Sequence, residues 1–254
     1  NIVPVNNEYH LRYAKEIEEL LQKNLIRVEL DDRDEKLGYR LRESVIKKIP
    51  ITLILGDKEK VMYGKGYIVD ELCGHTYKLS ANTFYQINHD QTELLYNKAI
   101  ELCNFKGNEK VLDMYCGVGT IGMSLAHAVK EVIGVEINTR SIQDAINNAK
   151  MNQVNNIQFV AKDASSFMKD YAKKKEKVDV VIMDPPRKGS DEKFLNAVVK
   201  LSPKKVIYIS CDPRTQVVDL KHLLNNGYQI MAIQPVDMFP FTSHIENIVL
   251  LKRG

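Results

Sequence analysis

Lys110-Val111-Leu112-Asp113-Met114-Tyr115-Cys116-Gly117-Val118-Gly119-Thr120-Ile121-Gly122 and, nine residues later, Glu131-Val132-Ile133-Gly134-Val135-Glu136 decide the fold. The first stretch reads as a strand that runs into a glycine-rich turn. Glycines 117, 119 and 122 fit the pattern G-x-G-x-x-G. Such glycines let the backbone turn sharply and approach a ligand closely. A helix is expected from about Thr120, and the second stretch reads as the next strand. Outward from this unit, strands are expected at Ile157–Ala161, Val178–Met183 and Lys205–Ser210, with helices between them. Two last strands fall near Gln229–Gln234 and Asn247–Leu251. The alternation predicts an α/β fold: a Rossmann-like, seven-stranded sheet covered on both faces, with ligands at the carboxyl ends of its strands.

Towards the N-terminus the pattern changes. Asp90–Leu102 reads as a helix, and Val61–Asn88 as a hairpin or meander. Residues 1–59 form a smaller α/β segment. It comprises a strand at Ile2–Val5, a helix at Tyr9–Gln22, a strand at Leu25–Leu30, a charged helix at Glu35–Lys48 and a buried strand at Ile51–Leu55. Three parts follow: 1–59, a β-rich connecting segment 60–90, and a main domain 91–254.

Net charge is +3, which permits an anionic partner such as RNA without demanding one. Lys173-Lys174-Lys175 reads as a solvated loop rather than an RNA patch. No apolar run approaches the roughly 20 residues of a membrane span, and Asn1-Ile2-Val3-Pro4 lacks a signal pattern, so a cytoplasmic location is expected. The four cysteines form no C-x-x-C pair and the histidines no H-x-x-x-H spacing. Neither a metal site nor a metal cluster is expected.

Glu136 ends the second strand 19 residues after Gly117, where a carboxylate can accept hydrogen bonds from both hydroxyls of a ribose. A dinucleotide site shares that layout. Asp113, however, sits inside the strand before the glycines, where it would repel a pyrophosphate and suit an ammonium group. Asp163, after the third strand, is placed to reach an adenine. Together these features favour S-adenosyl-L-methionine over a dinucleotide. The plainer alternative is a glycine-rich loop with a surface Glu.

After the fourth strand comes Asp184-Pro185-Pro186-Arg187. An aromatic residue in place of Arg187 would have suited amine methylation. Cys211, in Ser210-Cys211-Asp212-Pro213, stands at the carboxyl end of the fifth strand, in position for a nucleophile. Cys73, Cys103 and Cys116 read as packing residues. Glu246 precedes the apolar run Ile248-Val249-Leu250-Leu251 and is either a partly buried general base or an exposed acid before an edge strand.

Taken with Phe84-Tyr85-Gln86-Ile87-Asn88 and the Asp237–Glu246 stretch, these motifs resemble the RNA uracil-C5 methyltransferases over about residues 53–254. The resemblance implies an S-adenosyl-L-methionine cofactor and an RNA substrate, 23S ribosomal RNA ahead of tRNA. It implies that Cys211 is the nucleophile, that Glu246 is the base, and that Gln86, Tyr115, Glu136 and Asp184 hold cofactor or substrate. The cofactor set then comprises Gln86, Asp113, Tyr115, Gly117, Gly119, Thr120, Glu136, Asp163 and Asp184. The small RNA-binding barrel that usually opens the family is not recognisable here. Instead, Ile26–Tyr39 and Gly56-Asp57-Lys58-Glu59 resemble the first half of the anticodon-binding domain of threonyl-tRNA synthetases, which implies a fusion. Two other readings stand beside the leading one. The chain is an inactive or RNA-binding fusion fragment, or it is an amine methyltransferase.

Overall fold

Ile2–Pro4 (β1) and Leu53–Leu55 (β2) run parallel, with Ile2 opposite Leu53, and Ile2 also bridges Leu30 in parallel. In this computed structural model the described residues are 1–24, 26–49, 52–56, 66–81, 83–174, 176–242 and 244–254. The chain divides into two units, 1–64 and 65–254. The first holds β1, β2 and the helices Asn7–Lys23 (α1) and Leu37–Ile46 (α2). Asn6 caps α1 by accepting from the Glu8 N–H. The buried Arg40 anchors α2 by donating to the carbonyls of Pro4 and Asp31.

Two expectations need correction here. The strand read at Leu25–Leu30 reduces to the single bridge at Leu30. The strand read as buried leaves Leu53 38% and Ile54 37% exposed. Among the described residues of this unit only β1 has neighbours on both sides, so Ile2 and Val3 take the buried position while its flanks face solvent. Ile51, Asp57–Glu59, Gly64 and the junction near Lys60 lie outside the described residues.

The second unit opens with a hairpin, Tyr67–Leu72 (β3) and His75–Ser80 (β4), turned at Cys73-Gly74 with both residues at positive φ. Then come His89–Cys103 (α3), Lys110–Met114 (β5), Thr120–Leu125 (α4), Glu131–Glu136 (β6), Thr139–Met151 (α5) and Ile157–Ala161 (β7). Ala164–Lys173 (α6), Val180–Met183 (β8), Glu192–Leu201 (α7), Lys205–Ser210 (β9), Pro213–Asn225 (α8), Tyr228–Val236 (β10) and Glu246–Arg253 (β11) complete it. The seven-stranded sheet has the order β10-β11-β9-β8-β5-β6-β7. Strands β5 to β9 are parallel to one another, while β11 is antiparallel to both β9 and β10.

Alternation of side chains along each strand sorts the core onto two faces. Val111, Ile182, Ile207 and Ile209 pack with α3 and α4, whereas Leu112, Val181, Val206 and Tyr208 pack with α6, α7 and α8. Burial on both faces explains why β8 is apolar throughout, Val180-Val181-Ile182-Met183. The edge strand β10 instead exposes Ile230, Met231 and Ile233 and breaks register between Ile230 and Ala232, a feature that blunts an edge. Asp144 and Asn148 on α5 and Asn152 at its C-terminal cap, four residues apart, bond the backbone of Ser80, Lys78 and Thr76 in turn. This ladder of side chains covers one edge of the hairpin as a strand would.

The chain reverses direction across the sheet between β5 and β8, since β6 and β7 lie on one side of β5 and β8 on the other. Such a switch point opens a crevice at the carboxyl ends of its two strands. No helix among the described residues is long and apolar enough to cross a membrane.

Candidate active site

The loop after β5 is shaped by positive φ at Tyr115 (64°), Gly117 (53°) and Gly119 (82°). A Cβ at Gly119 would lie 2.6 Å from Cζ of Phe159, and one at Gly134 would lie 2.6 Å from Cδ1 of the same ring. Phe159, on β7, therefore fills the space beneath the loop, and glycine is required above it. Glu136 braces the loop from the side: one carboxylate oxygen accepts from the Gly117 N–H at 3.2 Å and the other from the Asn138 N–H at 2.8 Å. Asp113 is fully buried and accepts from the Gly122 N–H at 2.9 Å. Its second oxygen has no hydrogen-bond partner, and burial pushes its pKa up to about 7.

Around this loop the remaining cofactor candidates take distinct positions. Tyr115 stacks at a tilt on Phe194, and its hydroxyl lies 3.3 Å from Ser190 Oγ. Burial pushes the Tyr115 hydroxyl up to about 12, with Asp191 and Asp163 adding to the shift. Asp163 also caps α6 through the Ser166 N–H. The Thr120 hydroxyl turns inward to Tyr96 Oη at 3.0 Å. Gln86 is half-buried in the segment that crosses the loop, where Phe84 O would sit 4.0 Å from a Cβ on Gly117. Cys103 and Cys116 are buried as expected, while Cys73 is half-buried in the hairpin turn.

The other half of the crevice is assembled from distant chain segments. Ser210 of β9 is paired with Asn247 of β11, so Cys211 and Glu246 lie side by side just beyond the end of that ladder. Glu246 is 4% exposed, and burial raises its carboxyl to about 7, partly offset by Arg187. It stands on an interior strand of the sheet, not at the edge. Burial raises the Cys211 thiol, as do the Glu246 and Asp184 carboxylates, and Arg187 pulls it back. Asp184 is raised well above the usual carboxylate range by burial and by Glu246 and Asp113. The Asp184 N–H reaches back to Met114 O at 3.4 Å, across the switch point. Asp184, Arg187, Cys211 and Glu246 thus form one cluster beside the glycine loop.

Several residues that hold this cluster escaped the sequence reading. Gln216 of α8 is 1% exposed. Its amide donates to Tyr208 O at 3.0 Å and Asn247 O at 3.1 Å, and it accepts from Asn247 Nδ2 at 2.7 Å. It therefore ties the Cys211 strand to the Glu246 strand. Asp219 accepts from the Tyr208 hydroxyl and the Ser190 N–H, and Thr215 donates to Arg187 O. Their signal was a polar pair, Gln216 and Asp219, three residues apart on one helix. The adjacent Val217 and Val218 are 49% and 66% exposed, which inverts the usual helical pattern.

The family profile of the tRNA (uracil-5-)-methyltransferases matches residues 9–254. An uncharacterised RNA methyltransferase of Halalkalibacterium halodurans is 40% identical over 256 residues, 95% of this chain and 55% of that protein. One from Staphylococcus aureus is 48% identical over 198 residues, 78% of this chain and 44% of that protein. The chain thus spans about half the length of these relatives. Among solved structures, the Pyrococcus abyssi tRNA (uracil-54, C5)-methyltransferase in complex with S-adenosyl-L-homocysteine is 32% identical with a TM-score of 0.65, covering 79% of this chain and 50% of that one. The chain belongs to the tRNA (uracil-5-)-methyltransferase family.

Proposed function

We propose that this chain carries the catalytic unit of an S-adenosyl-L-methionine-dependent RNA methyltransferase that modifies carbon 5 of uracil. The observation that carries the reading is the placement of Cys211 beside Glu246 at the ends of β9 and β11, with Asp184 and Arg187 next to them. An amine methyltransferase has no use for a thiol paired with a buried acid.

The crevice residues fit the cofactor. Gly117 leaves room for close approach, Gly119 lets Phe159 pack beneath the loop, Glu136 stands at a strand end where a ribose would reach it, and Asp113 retains an unpartnered buried oxygen. Gln86, Tyr115, Thr120, Asp163 and Asp184 complete the walls. Bound there, the cofactor supplies a methyl group on a positively charged sulfur.

The chain's own residues do the rest. The Cys211 sulfur forms a bond to C6 of the uracil, and the C5–C6 electron pair shifts towards C5 and O4. C5, so activated, would take the methyl group, whose bond to the cofactor's sulfur would break and leave that sulfur as an uncharged thioether. Glu246 then removes the C5 proton, the C5–C6 double bond re-forms and the C6–S bond breaks, releasing the thiolate. A carboxyl near 7 suits a base working near neutral pH. Arg187, exposed beside Cys211, favours the thiolate. The target base must leave its stack to reach Cys211.

We assign 23S ribosomal RNA ahead of tRNA as the substrate, on the wording of Asp184–Gly189 and Asp237–Glu246. The solved Pyrococcus relative carries tRNA uracil 54 in its name, so methyl transfer to purified ribosomal RNA and to tRNA, side by side, decides between them. The first unit we read as half of an anticodon-binding-like fold. Its support is β1 flanked in parallel by Leu30 on one side and β2 on the other.

The mechanism is tested by two variants. Cys211→Ala should give neither methyl transfer nor a covalent RNA adduct. Glu246→Gln should slow turnover by roughly 10²–10⁴-fold and accumulate an adduct, seen as a shifted band on a denaturing gel that requires cofactor and Cys211. Methylation by Cys211→Ala would end the uracil-C5 reading.

A further inference from the structure

The loop between β10 and β11, residues 237–245, leads directly into Glu246, and it carries an anomaly at its tip. The base of the loop is firmly held. Met238 is fully buried, and Asn88 Nδ2 donates to Met238 O at 2.9 Å, tying the loop to the segment that crosses the glycine turn. A tight turn follows, in which the Thr242 N–H and hydroxyl both donate to Phe239 O, at 3.1 and 2.8 Å. Phe241 stands on this turn with φ at 70° and its side chain wholly exposed, 107% relative to a free residue.

Each feature opposes folding. The left-handed region brings Cβ of a bulky residue against its own backbone, a conformation that glycine adopts without strain. An exposed phenyl ring forgoes the burial that ordinarily stabilises Phe. Neither feature is repaid within the chain, because the ring is wholly in solvent. A strained residue on a loop that leads straight into Glu246 argues for a role towards a ligand.

The ligand chemistry follows from the neighbourhood. Arg187, whose charge acts on Glu246 at the end of this loop, and Lys188 next to it are both exposed and favour a polyanion. A base drawn out of its stack leaves the flanking base with an uncovered face. An aromatic ring covers such a face whatever the base is. We propose that Phe241 is a stacking platform for the nucleobase next to the extruded uracil, holding the RNA in place while Cys211 and Glu246 act. This rests on the RNA-methylation reading above.

The test uses the full chain and a single-stranded uridine 12-mer carrying one 2-aminopurine. Binding is read by anisotropy and stacking by quenching of the 2-aminopurine. Wild type should quench the probe. Phe241→Ala should lose the quench and bind about ten-fold more weakly, as expected for one lost base–aromatic stack, with unchanged affinity for S-adenosylmethionine. Phe241→Trp should restore both signals. Phe241→Gly should match Phe241→Ala in RNA binding yet show a melting temperature no lower than wild type, because it removes the strain. A merely structural Phe241 would lower the melting temperature in both small variants. Wild-type binding or quenching by Phe241→Ala, failure of Phe241→Trp to rescue, or destabilisation by Phe241→Gly overturns the proposal. The two readings separate cleanly. If wild type methylates RNA but Phe241→Ala binds normally, stacking fails alone. If Phe241-dependent quenching is present while Cys211→Ala still methylates, the uracil chemistry fails and stacking stands.

Discussion

The two halves of the crevice are built in opposite ways. The half around the glycine loop comes from one continuous strand–turn–helix–strand unit, residues 110–136, and is held by backbone: Gly117 N–H on Glu136 and Gly122 N–H on Asp113. The half around Cys211 comes from the ends of β8, β9 and β11 and from α8, spread over residues 184–247, and is held by side chains, chiefly Gln216, Asp219 and Thr215. A site made of backbone fails when a side chain is added to it. A site made of side chains fails when one is removed.

The largest effect is expected where the backbone-built half is filled. Gly119→Ala combines φ at 82° with a Cβ 2.6 Å from the Phe159 ring. We expect a loss of about 3 kcal/mol in stability and no measurable cofactor binding. Calorimetry with S-adenosylmethionine checks this, and the double variant Gly119→Ala, Phe159→Leu should recover part of the stability. A cofactor affinity unchanged in Gly119→Ala would break the contrast at its strongest point.

Protonation sharpens it next. Burial raises Glu246 from 4.5 to about 7, so the folded chain holds this proton where the unfolded chain has released it. Below about pH 4.5 both states hold the proton and stability is undiminished. Between about 4.5 and 7 stability falls with rising pH, and above 7 the full penalty, at most about 3 kcal/mol, persists. Glu246→Gln should therefore raise the melting temperature at pH 8 and leave it unchanged near pH 4. Wild-type kcat/KM should rise through about pH 7 as the base ionises. An equal Glu246→Gln effect on melting temperature at both pH values would show that the carboxylate is not desolvated.

The smallest effect is expected at the clamp. Gln216→Leu keeps volume but leaves the Tyr208 and Asn247 carbonyls without their donor, a loss of about 2 kcal/mol. Because Gln216 ties the strands that carry Cys211 and Glu246, the proposed mechanism predicts that kcat falls while KM for cofactor stays constant. An equal change in cofactor KM would mean that the two halves are not separable.

Much of this was legible in the sequence, and the division follows the same contrast. Strands β6, β7 and β9 match their expected limits, and the glycine spacing with Asp113 and Glu136 marked one face of the crevice. These signals are local: side-chain alternation, glycine turn chemistry and a strand-end acid all lie within one unit of chain. Elsewhere locality failed. The strand expected at Leu25–Leu30 survives only as a bridge, because pairing depends on a distant partner. Gln216 and Asp219 carried no local signal of their role, yet they point into the molecule, where Tyr208 of β9, Asn247 of β11 and the Ser190 backbone offer them partners.

By itself, then, the sequence determined the α/β class, the glycine-loop crevice and the candidate nucleophile, since each depends on neighbours along the chain. The tertiary structure decided whether Glu246 was an exposed acid or a buried one. β11 enters the sheet antiparallel between β10 and β9, which sets Asn247 against Ser210 and takes Glu246 out of water beside Cys211. Strand order is fixed by the packing of the whole sheet, and desolvation, which raises this carboxyl to about 7, exists only once that packing is complete.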